Sequence, residues 1–321
     1  MEACYWIFMP TTIDFAPATA GIRRAGYFQW PIPDDAGSFY GENGFLVLEN
    51  ALSRREIDGL LRETVRICRN ANGGTPAATS AGDGESEEAL LKRMLCIHFP
   101  HKISQVALET LAHPRIVEVL TRIVGPNVKA MQSMLFIKAS GKPGQAWHQD
   151  EDYIPTRDCS LTGVWIALDD AVIENGCLWV IPGSHKFRTL WPQEWHEDAR
   201  FDCAWQSHDF PFSDDDAVPV EVKAGSVVFF NGYTLHRSLP NRSAGAYRRA
   251  LVNHYMSAES LLPWRLPGTG EHMATADYRD IVMVAGTDPH AYKGLASLAQ
   301  PHVRPAGDGG CEKWGGPDHR G

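Results

Sequence analysis

From Met131 to Met256 the chain is a succession of short apolar runs, at residues 134–137, 162–168, 178–181, 218–222, 227–230 and 250–256, each closed off by turn-forming residues. Runs this short, rich in Val, Ile, Leu and Phe, suit strands better than helices. Their spacing points to a sandwich or jelly roll and away from alternating strand and helix units. The 29 Gly and 21 Pro supply the turns that such a fold consumes.

The first third has a different texture. Residues 44–48, Gly-Phe-Leu-Val-Leu, form a short buried strand pattern. Ser53 and Glu56 follow at the spacing of a capping box, in which hydroxyl and carboxylate each satisfy an orphan backbone group. Ile57, Leu60, Leu61, Val65 and Cys68 then recur as one face of a helix. A second helix is predicted from Pro114, through Ile116, Val117, Leu120 and Ile123, to a stop at Gly125. The expected plan is one domain over 1–321: a helical support at about 40–130, a jelly-roll core at 131–258 and a C-terminal extension at 259–321. Residues 70–88, rich in Gly, Ala, Ser, Thr and acids, read as a loop, with an active-site lid as the alternative. The tail after Gly307 reads as loose.

Composition narrows the partners. Hydrophobic residues at 44% and charged residues at 21% describe an ordinary globular chain. A formal net charge of -9 argues against gripping nucleic acid or an anionic membrane, so a small-molecule partner is expected. The seven cysteines (Cys4, Cys68, Cys96, Cys159, Cys177, Cys203 and Cys311) contain no Cys-x-x-Cys pair, which predicts free thiols and no zinc finger. Residues 1–9 carry Glu2, lack a basic start and break at Pro10, so no signal peptide is read there. No stretch approaches the roughly 18–20 apolar residues of a membrane span. A cytoplasmic location is the expectation.

The densest chemistry lies in Trp147-His148-Gln149-Asp150. In an extended segment residues two apart share a face, so the His148 imidazole and the Asp150 carboxylate can reach one metal. A second imidazole would complete two His and one carboxylate, the set that leaves open positions on Fe(II). His236 is the candidate, at the end of a turn, apolar strand and second turn. Ser238 lies two residues on, and Arg248 twelve residues on at the head of another strand. A guanidinium fork with a nearby hydroxyl describes a carboxylate pocket.

Together these residues resemble the phytanoyl-CoA hydroxylase family of Fe(II)/2-oxoglutarate dioxygenases. The resemblance runs over roughly 40–258. It takes in Gly44-Phe45, Gly125-Pro126-Asn127, Met131, Met134, His148-Gln149-Asp150, Trp165, the stretch from Asn175 to Lys186, His236, Ser238 and Arg248. It implies a double-stranded β-helix with the helical region packed on one sheet. It implies His148, Asp150 and His236 as iron ligands, Arg248 with Ser238 on the distal carboxylate of 2-oxoglutarate, and Met134 and Trp165 lining that pocket. The arginine stands one residue further from His236 than the family's better-known members place it, and Arg249 is adjacent. Strand neighbours face opposite ways, so one of the two enters the pocket, and Arg248 is assigned. No residue near Ile97 or His98 is assigned to the cosubstrate.

The resemblance further implies Fe(II), 2-oxoglutarate and O2 as reactants, with ascorbate supporting turnover in vitro, and release of succinate and CO2. A carboxylate at Asp150 implies oxygenation, since related halogenases replace it with a small residue. Hydroxylation of a small organic molecule is the expected reaction. Desaturation, cyclisation or epimerisation by the same centre, and a cupin-like metal-binding protein without turnover, are the alternatives. Gln132, Lys138, Trp147, Tyr153 and Asn253 are candidate substrate contacts. His98, His101 and His185 are expected to be structural.

Overall fold

The computed structural model describes residues 25–70, 84–202, 205–261 and 279–306. A short strand β1 (Tyr27–Phe28) pairs in parallel with β2 (Phe45–Leu48), and helix α1 (Ala36–Asn43) connects them. Gly44 ends α1 with φ +76°, and a Cβ there would stand 2.4 Å from Nδ1 of His185, so only glycine fits this turn. Helix α2 (Arg54–Asn70) starts at the predicted capping box: the Ser53 backbone N–H donates to the Glu56 carboxylate at 2.7 Å. Helix α3 (Glu87–Lys92) begins inside the stretch expected to be a loop, because Ser86 caps it by accepting from the Ala89 N–H. Residues 71–83 of that stretch, and with them the proposed lid, lie outside the described residues. After β3 (Met94–His98) come α4 (Gln105–Leu111) and α5 (Pro114–Ile123), the latter on the residues expected.

The remaining strands complete two large sheets and one separate hairpin. They are β4 (Val128–Lys138), β5 (Gln145–His148), β6 (Thr162–Ala167), β7 (Leu178–Val180), β8 (Gln193–Trp195), β9 (Trp205–Ser207), β10 (Val218–Val220), β11 (Val227–Asn231), β12 (His236–Ser238), β13 (Arg248–Ser257), β14 (Val282–Ala285) and β15 (His302–Pro305). The one-turn helix α6 (Asp150–Tyr153) follows β5. The larger sheet runs β1-β2-β11-β6-β13-β4-β3-β15, with β14 also on β4, and the smaller runs β10-β7-β12-β5. Along the chain β4, β5, β6 and β7 alternate between the larger and smaller sheets, β10 returns to the smaller one, and β11, β12 and β13 alternate again, which is the winding of a double-stranded β-helix. The hairpin β8–β9 is inserted between β7 and β10.

Period-2 alternation separates two cores. Leu135, Ile137, Val164, Ile166, Val227, Phe229, Leu251 and Tyr255 face the helices, against Ile57, Leu60, Leu90, Leu111, Ile116 and Leu120. Their neighbours Trp165, Ala167, Val228, Phe230, Ala250 and Val252 face the smaller sheet, against Leu178, Val180, Val218 and Val220. The C-terminal extension belongs to the larger sheet through β14 and β15. Residues after 306 lie outside those described. No described helix is long and apolar enough to cross a membrane. Cys68, Cys96, Cys159 and Cys177 are free thiols.

Candidate active site

His148 and His236 are register partners on β5 and β12, so the smaller sheet alone brings two imidazoles together across 88 residues of sequence. Their ring centroids are 4.1 Å apart. Each ring is fixed by Nδ1 against the backbone carbonyl two residues earlier, His148 on Ala146 at 2.8 Å and His236 on Thr234 at 3.0 Å. A proton on Nδ1 leaves Nε2 as a bare lone pair, the form a metal ligand requires. Gln149 between them is extended, with φ -127° and ψ 125°, so Asp150 keeps the face of His148 as the sequence spacing predicts. Asp150 opens α6, and its Oδ1 lies 3.7 Å from Nε2 of His148 and 3.6 Å from Nε2 of His236. One ligand atom from each of the three residues lies within 4.8 Å of the others.

Gln149 is fully buried and holds this segment in place. Its amide donates to the Thr189 carbonyl at 2.9 Å and the Tyr233 carbonyl at 2.8 Å, and accepts from the Trp191 N–H at 2.9 Å. Burial pushes His236 down to about 4, keeping it neutral at pH 7. Burial opposes the charge on Asp150, but the imidazoles of His236, His254 and His148 around it hold its pKa well below the usual carboxylate range. Two imidazoles and one carboxylate fit a divalent cation.

The triad opens into a cavity of about 650 Å³ that Arg248, Ser238, Trp165 and Met134 also line. Arg248 is only 3% exposed, its Nε has no hydrogen-bond partner, and its guanidinium lies 5.5 Å from the Trp165 ring centroid. Burial lowers it to about 10, so it stays charged. Arg249 points the other way and is bonded to Asp169, with Nε and Nη2 at 2.8 and 2.7 Å from the two oxygens. Lys138 Nζ donates to Ser238 Oγ at 2.9 Å and to the Leu239 carbonyl at 2.8 Å.

With this geometry, the model of the family described as phytanoyl-CoA dioxygenase (PhyH) matches residues 40–250. The chain belongs to the phytanoyl-CoA dioxygenase family. Among relatives, the peroxisomal phytanoyl-CoA dioxygenase of Rattus norvegicus is 31% identical over 232 residues, 69% of this chain and 67% of the rat protein. The Homo sapiens counterpart is 29% identical, again covering 69% and 67%. Among solved structures, the apo non-heme monooxygenase ThoJ superposes with a TM-score of 0.60 at 22% identity, covering 78% of this chain and 84% of that one. The epimerase SnoN, in complex with Fe3+, alpha ketoglutarate and nogalamycin RO, gives 0.56 at 21% identity, covering 78% and 95%. These structures share the fold. As a member of the phytanoyl-CoA dioxygenase family, the chain is an iron- and 2-oxoglutarate-dependent oxygenase.

The candidate substrate contacts divide. Gln132 and Tyr153 line the cavity. Lys138 shares the strand face of Met134 but ends beyond the cavity, behind Ser238. Trp147, one residue from His148, points out of the opposite face, where its indole N–H donates to Asp214 at 3.2 Å and Arg237 stacks 4.4 Å from its ring. Asn253 faces the helices, its amide directed at the Tyr255 hydroxyl at 3.4 Å. Strand alternation decides both of these corrections.

His185 stays outside the triad, its Nε2 3.0 Å from the Gly41 carbonyl, and His101 is buried against Ser133 Oγ at 2.6 Å. His98, expected to be structural, instead lines the cavity, stacked on His302 with centroids 4.2 Å apart. Arg304 of β15 and Asp202 of the inserted segment form an ion pair in the same wall. The residues missed by sequence reading, His254, Asp202, His302 and Arg304, share one trait: they have no local motif, and only long-range pairing delivers them. For His254 a signal existed in the even spacing Arg248, Val252, His254, which assigns it to the face of Arg248.

Proposed function

We propose that the cavity holds 2-oxoglutarate between the His148, Asp150, His236 triad and Arg248, for the hydroxylation of a small organic molecule. Arg248 carries this reading. It is a buried, charged guanidinium with no acidic partner among the described residues, in the cavity that contains the ligand set. A buried charge without a counter-ion is costly, and an incoming carboxylate bound by the fork removes that cost. Lys138 donates to Ser238 Oγ, which leaves the Ser238 hydroxyl hydrogen to donate to the same carboxylate. Trp165 and Met134 supply the apolar wall for the carbon chain between. A cupin-like site that only holds a metal has no use for Arg248.

When bound, Fe(II) supplies the activation of O2, with which 2-oxoglutarate is converted to succinate and CO2 while a substrate C–H becomes C–OH. The protein's share is positional: His148 and His236 present Nε2, Asp150 adds one negative charge, and Phe230, Val252 and Ile154 on the cavity wall exclude water. Ascorbate is expected to support turnover in vitro. A chain of net charge -9 offers no general attraction for the phosphates of a coenzyme A thioester, which favours a smaller substrate. Desaturation, ring closure or epimerisation is the second reading, favoured because an epimerase and the carbocyclase SnoK share this fold.

The test is succinate release from 2-oxoglutarate in air with Fe(II) and ascorbate, in the wild type and in His236→Ala. Loss of the release in His236→Ala is expected, and equal release from both proteins would overturn the reading. Once a substrate is in hand, product mass separates the outcomes: one oxygen gained, two hydrogens lost, or no change.

A further inference from the structure

The two oxygens of Asp150 have different partners. Oδ1 is turned to the two imidazoles at 3.7 and 3.6 Å, whereas Oδ2 lies 2.9 Å from Nε2 of His254. His254 comes from β13, is 5% exposed, and reaches the carboxylate from the side of the larger sheet, opposite the strands that carry His148 and His236. An imidazole nitrogen 2.9 Å from an ionised carboxylate oxygen carries a proton, so His254 donates through Nε2. Its Nδ1 is buried and without a hydrogen-bond partner. Leaving that nitrogen unpaired is unfavourable, so a contribution from the Nε2 contact is needed to offset it.

We propose that His254 is a positioning residue for the iron centre: by holding Oδ2 it restricts Asp150 to ligation through Oδ1 alone. A carboxylate can ligate a metal through one oxygen or both. One-oxygen ligation leaves a further position for the chelating 2-oxo acid, and an outer hydrogen bond of this kind sets ligand orientation. The inference rests on the triad being the iron site.

The test compares Fe(II) affinity and anaerobic binding of 2-oxoglutarate in the full-length wild type and in His254→Gln, His254→Asn and His148→Ala. Binding of 2-oxoglutarate is followed by the visible charge-transfer band of a 2-oxo acid chelated to Fe(II). Glutamine can place an N–H near the position of Nε2. Asparagine stays polar but falls short of Asp150, so a general need for polarity at this site would be met by either. The expected result is near-wild-type behaviour for His254→Gln. For His254→Asn, Fe(II) affinity should fall by about 10- to 100-fold, with a weakened band even at saturating Fe(II). Wild-type affinity and band in His254→Asn would overturn the proposal, as would a His254→Gln protein as impaired as His254→Asn. If His148→Ala binds Fe(II) as tightly as the wild type, the triad assignment itself fails, whatever His254 does.

Discussion

His148 and His236 face each other across β5 and β12, with each Nδ1 held by a carbonyl of its own strand approach and each Nε2 within 3.7 Å of the same Asp150 oxygen. The pairing is a property of the sheet, so the ligand geometry is built before any metal arrives. Replacing His148 by Ala should therefore leave far-UV circular dichroism unchanged while weakening Fe(II) binding by at least about 100-fold, more than loss of an outer contact does. Isothermal titration with Fe(II) under nitrogen checks this, and retention of tight binding would count against the ligand set.

The adjacent arginines should behave oppositely. Arg248→Lys keeps a cation but loses the fork, and the Michaelis constant for 2-oxoglutarate should rise by about 10- to 100-fold, in line with the roughly 1.5–3 kcal/mol of a hydrogen bond to a charged group. Arg249→Lys should leave that constant within about twofold. It should cost on the order of 1 kcal/mol of stability, because the Arg249 pair with Asp169 is largely buried. The measurement is succinate release against 2-oxoglutarate concentration, alongside urea unfolding. A larger kinetic effect at Arg249 would reverse the assignment.

Much of the core was legible because local rules govern it. The capping box at Ser53, the Pro114 start and the six apolar runs became the elements expected, and parity along β13 separated Arg248 from Arg249. The alternation that puts His148 and Asp150 on one face also held, because Gln149 between them is extended. What failed was non-local. Strands β5 and β12 are too short and too polar to be read as strands, and β3 and β15 become legible only once they pair. His98 could not be assigned from sequence because its partner His302 is 204 residues away.

Acid should destabilise the protein through a histidine remote from the triad. Burial, followed by the charge of Lys102, pushes His101 down to about 4, against about 6.5 in an unfolded chain. The unfolded state thus takes up the proton first. The stability tied to neutral His101 is complete above pH 6.5 and is lost as pH falls towards 4. A tenfold difference in proton affinity corresponds to about 1.4 kcal/mol, so the loss is roughly 3 kcal/mol in all. The expected observation is a gap in unfolding free energy between the wild type and His101→Asn that narrows or changes sign between pH 7 and 4.5. A gap constant over that range would refute it.

Gln149 offers the sharpest separation of architecture from ligation. Its side chain spends its hydrogen bonds away from the metal ligands, tying the His148–Asp150 segment to the backbone at Thr189, Trp191 and Tyr233 from a fully buried position. Gln149→Leu deprives the carbonyls of Thr189 and Tyr233 and the N–H of Trp191 of their partner; Thr189 is exposed and can turn to water, whereas Tyr233 and Trp191 are half-buried. At about 1–3 kcal/mol for each group left unsatisfied, a loss of roughly 2 kcal/mol or more is expected. Gln149→Glu should be worse despite its closer shape. An ionised carboxylate keeps the acceptor for Trp191 but sets an oxygen against the carbonyls of Thr189 and Tyr233, where the amide had donated. Urea unfolding of both variants gives the order of stability. Since the segment carries two of the three ligands, Fe(II) affinity should fall in the same order. If Gln149→Glu proved as stable as the wild type, the amide would not be the clamp these three hydrogen bonds describe.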